Sequence, residues 1–221
     1  MSLVGNLFML GAGGVVVVAL MAYFGRLPVL FWFTVMAVWS IAWCAAPGTF
    51  DQFVAARILN GFFSTVAQGS GLVFINDIFF VHEHARKINI WSFFIILSPY
   101  LGPLSTAFII SKYDWNWAFW LSTLLHGICL IAIVFVVDET YYDRRTPEDQ
   151  QPPRGSRVAR LVGIQQWRSR DQRNTFRGAI LRPAQAIGKP VVFIATIYYL
   201  FIFAWVVGMC YTYAGRRKLP D

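Results

Sequence analysis

Apolar runs long enough to cross a membrane alternate along the chain with short polar breaks. The runs are Leu3 to Phe24, Val29 to Cys44, Gln52 to Ile75, Ile88 to Lys112, Ala118 to Val137 and Pro190 to Tyr213. A helix needs roughly 20 apolar residues to span a bilayer. The pattern therefore predicts an all-α, polytopic membrane bundle of about six transmembrane helices. The breaks carry turn chemistry: Gly25-Arg26-Leu27-Pro28 reads as a tight polar turn, and Ala46-Pro47-Gly48 ends the second run. Asn76 to Lys87 reads as a polar loop, and Tyr113 to Trp117 as a short aromatic loop suited to a membrane interface. The organisation that follows is a five-span bundle over 1–137, a basic cytoplasmic loop over 138–189, a further span over 190–214 and a basic tail over 215–221.

The fourth run stands apart. It holds Pro99 and Pro103 with Gly102 between them, and it carries no charge before Lys112. Each proline removes a backbone donor and bends a helix. Neighbouring helices in a membrane bundle can satisfy the freed carbonyls, so a bent, packed helix is expected. Ser98, Gly102 and Thr106 fall four apart and make a narrow face for another helix to approach. Gly11, Gly13 and Gly14 predict close packing of the first run in the same way.

Composition agrees with a membrane protein: 57% of residues are hydrophobic, 17% aromatic and only 14% charged, against about 25% charged in a soluble domain. The net charge of +8 lies mostly in connections, so topology explains it better than nucleic-acid binding. Cys44, Cys129 and Cys210 have no metal-ligand or redox spacing and read as small buried side chains. No basic residue precedes Arg26, so the N-terminal run lacks the pattern of a secretory signal. Arg26, then Arg86 with Lys87, then the long basic loop fall on alternate connections, which makes that side cytoplasmic and the N-terminus external. Arg216-Arg217-Lys218 then falls outside, against the rule, which points to an incomplete chain or a last segment inserted differently. Within the basic loop, Arg157 to Trp167 mixes Val158, Leu161, Val162 and Trp167 with arginines, as a helix at an anionic lipid surface does; the alternative is disorder.

Several side chains are candidates for chemistry. Arg57 sits inside an apolar run, where an arginine is costly and marks a functional site unless it snorkels to the interface. Gly61, Thr65 and Gly69 follow it at four-residue spacing, which predicts a guanidinium on a packed face. His126, near the middle of the fifth run, is either a proton relay or a hydrogen-bonded structural histidine. Asn60, Gln68 and Asn76 either line a cavity or bond to neighbouring helices. Arg26, Asp77, Glu83 and Arg86 are either a cytoplasmic charge cluster that opens and closes or ordinary topology-setting charges. No nucleophile–base set, metal set or phosphate-binding loop occurs, so an enzyme, a cofactor and direct ATP use are not expected.

Gly25-Arg26-Leu27-Pro28, Arg57-Ile58-Leu59-Asn60-Gly61, the stretch from Asp77 to Arg86, Gly102-Pro103, Trp115 to Trp120 and Asp138 to Tyr142 together resemble the major facilitator superfamily, in its fungal drug/proton antiporter-like branch. Gly25 and Arg26 stand at the family's motif between its second and third helices, though Met21 to Phe24 lack the usual acidic residue. Arg57, Asn60 and Gly61 match the fourth-helix motif. Gly102 and Pro103 match the fifth-helix antiporter motif, with Thr106 where a glycine is usual.

The resemblance implies a partial major facilitator fold carrying the counterparts of helices two through seven, the last of them opening the C-terminal half. It implies proton-coupled efflux of a small organic solute by alternating access, with Arg57 assisting proton coupling and Arg26, Asp77, Glu83 and Arg86 gating the cytoplasmic face. Import is the alternative that Thr106 leaves open, and a non-transporting remnant or partner subunit is the reading from another class. The implied partners are the lipid bilayer, the solute and a proton, with a homodimer or a missing C-terminal half completing the pathway. The implied setting is the plasma membrane, with the vacuolar membrane as the alternative.

Overall fold

A computed structural model of the chain describes residues 2–140, 156–164, 185 and 188–216. Every element among them is a helix: α1 Ser2–Phe24, α2 Arg26–Ala45, α3 Phe50–Ile78, α4 Val81–Ile110, α5 Asn116–Val136, α6 Arg157–Val162 and α7 Pro190–Arg216. The first five are long and apolar enough to cross a membrane. The chain divides into two compact units, Met1–Thr175, which holds α1 to α6, and Phe176–Asp221, which holds α7.

The helix ends depart from the expected ones, for local reasons. The turn between α1 and α2 shrinks to Gly25, whose φ of 104° is open to glycine and strained for other residues. Pro28 therefore lies in the first turn of α2, where a missing N–H costs nothing. Asn76 to Lys87 is not a loop: α3 runs to Ile78 and α4 starts at Val81, so only Phe79 and Phe80 intervene. Charged residues there extend the helices instead of ending them. At the far end of α3, Thr49 caps the helix by accepting from the Gln52 N–H at 3.4 Å.

Helix α3 is the spine of the first unit, packing most extensively on α1 and then on α2, which in turn lies against α5. Water is absent from a bilayer interior, so association there rests on close packing and internal hydrogen bonds. The α1–α3 seam supplies both. A Cβ on Gly13 would lie 2.7 Å from the Phe62 carbonyl oxygen, and one on Gly61 would overlap the backbone and side chain of Asn6. The Thr65 hydroxyl sits 2.9 Å from the Leu10 carbonyl of α1 and 3.0 Å from the Gly61 carbonyl of its own helix. Beside this seam, Val17, Met21, Val29, Leu30 and Val66 form an apolar core, flanked by Phe33 and Phe74.

Helix α4 contradicts the expectation of a tightly packed centre. None of its residues is buried, and a Cβ on Gly102 would meet no side chain or other helix within 4 Å among the described residues. The face of Ser98, Gly102 and Thr106 has no helix against it among the described residues. The seat that α4 does have is Trp91, whose indole lies over Gly71 of α3. Its prolines are handled partly from within. Pro99 leaves the Ile95 carbonyl without its helical donor, and the Ser98 hydroxyl donates to that oxygen at 3.0 Å.

Of the stretch Arg157 to Trp167, for which a surface helix or disorder was expected, residues 157–164 are described, and they carry the short helix α6. It ends at Val162, with Gly163 in the left-handed conformation at φ 95°. One side of it packs on α2: Leu161 is buried, the Trp32 indole N–H donates to the Val162 carbonyl at 3.3 Å, and Gly163 abuts Pro28, while Val158 and Ile164 stay exposed. Trp167 lies outside the described residues, as do Arg217 and Lys218.

Gly61→Ala tests the α1–α3 seam. Alanine favours an isolated helix over glycine, but here the added methyl meets Asn6, and overpacking costs about 1–3 kcal/mol. Thermal unfolding of the purified chain in detergent should show a melting temperature several degrees lower for Gly61→Ala. Gly102→Ala, in open space, should leave it unchanged or raise it. Equal effects at the two glycines would contradict the packing described.

Candidate functional site: a charge knot at one end and a lone arginine in the span

Two polar sites stand out in the first unit, near opposite ends of α3. The first is built where α2 begins. A helix start leaves backbone N–H groups without partners. Here Glu139, just beyond α5, fills the gap: its carboxylate accepts from the Arg26 N–H at 3.0 Å and from the Leu27 N–H at 3.2 Å. The negative charge also suits the positive end of the helix dipole. The Arg26 side chain turns to Asp77 near the end of α3, with Nε 2.8 Å from Oδ2 and an NH2 hydrogen bond of 3.2 Å to Oδ1. This two-pronged geometry is the strong form of an arginine–carboxylate pair. The Thr140 hydroxyl donates to Asp77 Oδ2 at 3.2 Å. One knot thus ties together α2, α3 and the chain leaving α5. A flanking brace lies beside it, where Arg160 pairs with Asp138 at 3.0 Å and Arg157 donates to the Phe135 carbonyl.

Of the four residues expected in this cluster, the fold brings two together, Arg26 and Asp77. Glu83 and Arg86 sit exposed on the first turns of α4 and make no ion pair among the described residues. Glu139 and Thr140 were missed as members. The available signal was a carboxylate two residues past the fifth span, together with the uncapped start of α2.

The second site lies within the membrane-spanning part of α3. Arg57 is half-buried, about 10 Å along the helix from Phe50 at 1.5 Å per residue. Among the described residues it has no carboxylate at ion-pair distance. Its guanidinium carbon lies 5.8 Å from the ring centre of Phe53 and 5.8 Å from that of Phe119 on α5. Gly61 and Thr65 face α1, so Arg57 does not share their packed seam but points to the α5 side. One turn further, the Asn60 amide donates to the Ser40 hydroxyl of α2 at 3.2 Å. Gln68 and Asn76 are exposed. His126 bonds through Nδ1 to the Ser122 carbonyl of its own helix at 2.9 Å, which engages one ring nitrogen locally. No group of three or more metal-ligating side chains occurs among the described residues.

The Major Facilitator Superfamily model matches residues 1–216. The chain belongs to that superfamily. It is a multi-pass integral membrane protein. Among its curated relatives, a cycloheximide resistance protein of Candida maltosa is 28% identical over 67% of this chain and 28% of its own length. The efflux pump radE of Floropilus chiversii is 24% identical over 92% of this chain and 38% of its own. Polyamine transporter 4 of Saccharomyces cerevisiae is 26% identical over 94% of this chain and 31% of its own. The chain thus spans about a third of the length of these relatives. They are named for transport or resistance rather than for a reaction, in agreement with the expectation that the chain is not an enzyme. No solved structure matches it significantly.

Hydrogen exchange measures the helix cap directly. Losing a capping side chain costs about 0.5–2 kcal/mol, so Glu139→Ala should speed exchange of the Arg26 and Leu27 amides about tenfold, since 1.4 kcal/mol is a factor of ten. The middle of α2 should keep its protection. Unchanged exchange at Arg26 and Leu27 would remove Glu139 from the cap.

Proposed function

We propose that this chain forms helices of a transporter that moves a small organic solute by alternating access, coupled to protons and directed outwards. The family match supports transport, and the likeness to an efflux pump and a resistance protein supports the outward direction. A drug-like solute or a polyamine is the substrate class that the relatives' names suggest. The plasma membrane is the setting we favour for an outward pump. The other half of the pathway is supplied by helices beyond those described, in the same polypeptide or in a second copy.

The observation that carries the proton coupling is Arg57. A guanidinium keeps its charge at any physiological pH. It cannot carry the proton itself, but it holds a fixed positive field inside the span. That field favours an arriving anionic group. His126 is the titratable candidate on α5, with one ring nitrogen engaged by the Ser122 carbonyl.

The Arg26–Asp77–Glu139–Thr140 knot is the fixed base of the cytoplasmic gate in this reading. It binds α2, α3 and the end of α5 into one block, so these helices move together while the opposing half rocks against them. Glu83 and Arg86, exposed at the start of α4, are the proposed moving part of the gate, meeting charges on that opposing half in one conformation only.

Flux in proteoliposomes tests the proposal. Radiolabelled spermidine and cycloheximide serve as probes, with an imposed pH gradient as the drive. The unaltered protein should move at least one of them against its own gradient, and collapse of the pH gradient should stop it. Arg57→Ala should reduce gradient-driven flux at least tenfold at equal protein content. Gradient-driven flux that survives Arg57→Ala would remove Arg57 from the coupling.

A further inference from the structure

We propose that Phe53 and Phe119 are positioning residues for Arg57: their ring faces hold the guanidinium inside the span, where no carboxylate pairs with it among the described residues. The inference rests on the coupling role proposed for Arg57 and adds the groups that fix its place. Phe53 precedes Arg57 by four residues, so both emerge on one face of α3. Phe119 comes from α5, and the guanidinium carbon lies 5.8 Å from each ring centre. That is within the roughly 6 Å over which a ring face attracts a cation. The rings are themselves locked. Phe53 and Phe119 meet edge to face at 5.6 Å and 86°, and Trp115 packs against Phe53 at 5.6 Å and Phe119 at 6.0 Å. Such edge-on contacts are the preferred geometry of aromatic pairs.

This arrangement has an electrostatic consequence that an ion pair would not. A carboxylate would cancel most of the guanidinium's field. A ring face attracts the cation through its quadrupole and leaves the net charge of +1 in place. The charge is therefore held and still available to act on a proton carrier or solute. Removing one face while keeping the bulk, as in Phe119→Leu, frees a long flexible side chain to snorkel towards the outer interface.

Stepwise fluorination of the rings separates this from simple packing. Fluorines drain the negative face of the ring with little change in size. The full chain would be prepared with mono-, di- and trifluorophenylalanine at position 119, and separately at position 53, each with Arg57 present and with Arg57→Met. The readouts are the melting temperature in nanodiscs and the gradient-driven flux of spermidine and cycloheximide. With Arg57 present, the melting temperature should fall with each added fluorine, by a few degrees over the series. With Arg57→Met the series should be much shallower, leaving only the change in the contacts among Phe53, Phe119 and Trp115. Phe119→Tyr, which keeps the ring face, should retain flux, and Phe119→Leu should lose it several-fold. A flat series with Arg57 present, or equal slopes in both backgrounds, overturns the proposal. A sloping series together with flux that survives Arg57→Met upholds the ring contact and overturns the coupling role instead.

Discussion

The close approach of α1 and α3 is the constraint on which the first unit depends. Lipid tails are as apolar as leucine, so there is little hydrophobic gain in bringing two helices together inside a bilayer. What remains is dispersion at short range and hydrogen bonds that would otherwise be lost. Gly13 and Gly61 remove the side chains that would hold the backbones apart, and Thr65 reaches the Leu10 carbonyl across the gap. With α1 fixed on one side of α3, α2 packs beside it and α5 against α2. The rings that surround Arg57 meet only because α3 and α5 are held at this spacing.

The same unit solves its end problem with charge. The start of α2 needs acceptors, the end of α3 carries an aspartate, and the chain leaving α5 brings a glutamate and a threonine. Each group satisfies another's deficit, so the knot is both a cap and a clasp. Further along the same connection, Arg160 ties α6 to Asp138, and Leu161 buries itself on α2. The two sites therefore differ in kind. At the knot, opposite charges neutralise one another and fasten helices; in the span, a charge is kept whole between two rings.

The spans were legible in the sequence because apolar length is a direct consequence of bilayer thickness. The arginine in the third run was legible for the same reason, since a charge in an apolar run is expensive. Helix ends were less legible. Asn76 to Lys87 looked like a loop because it is polar, yet a membrane helix that projects into water is polar there too. Gly25 to Pro28 looked like a turn, and the turn is one glycine long. Small-residue spacing was an uneven guide. It identified Gly13 and Gly61, which have a helix against them, and Gly102, which has none among the described residues. Spacing shows that a face is narrow and not what fills it. Phe53 and Phe119 gave no signal at all, because aromatic residues are common in every span of this chain and their meeting is a matter of tertiary structure.

In the proposed arrangement these helices cross a membrane with the Arg26–Asp77–Glu139 knot on the cytoplasmic side and Arg57 towards the other. Single cysteines on two connections measure this most directly. Cys44, Cys129 and Cys210 would be replaced by alanine, one cysteine introduced as Gly48→Cys or Phe80→Cys, and intact cells treated with a membrane-impermeant maleimide. Labelling is expected at position 48 from outside, and at position 80 only after the membrane is opened. Labelling of both positions in intact cells, or of position 80 alone, would contradict it.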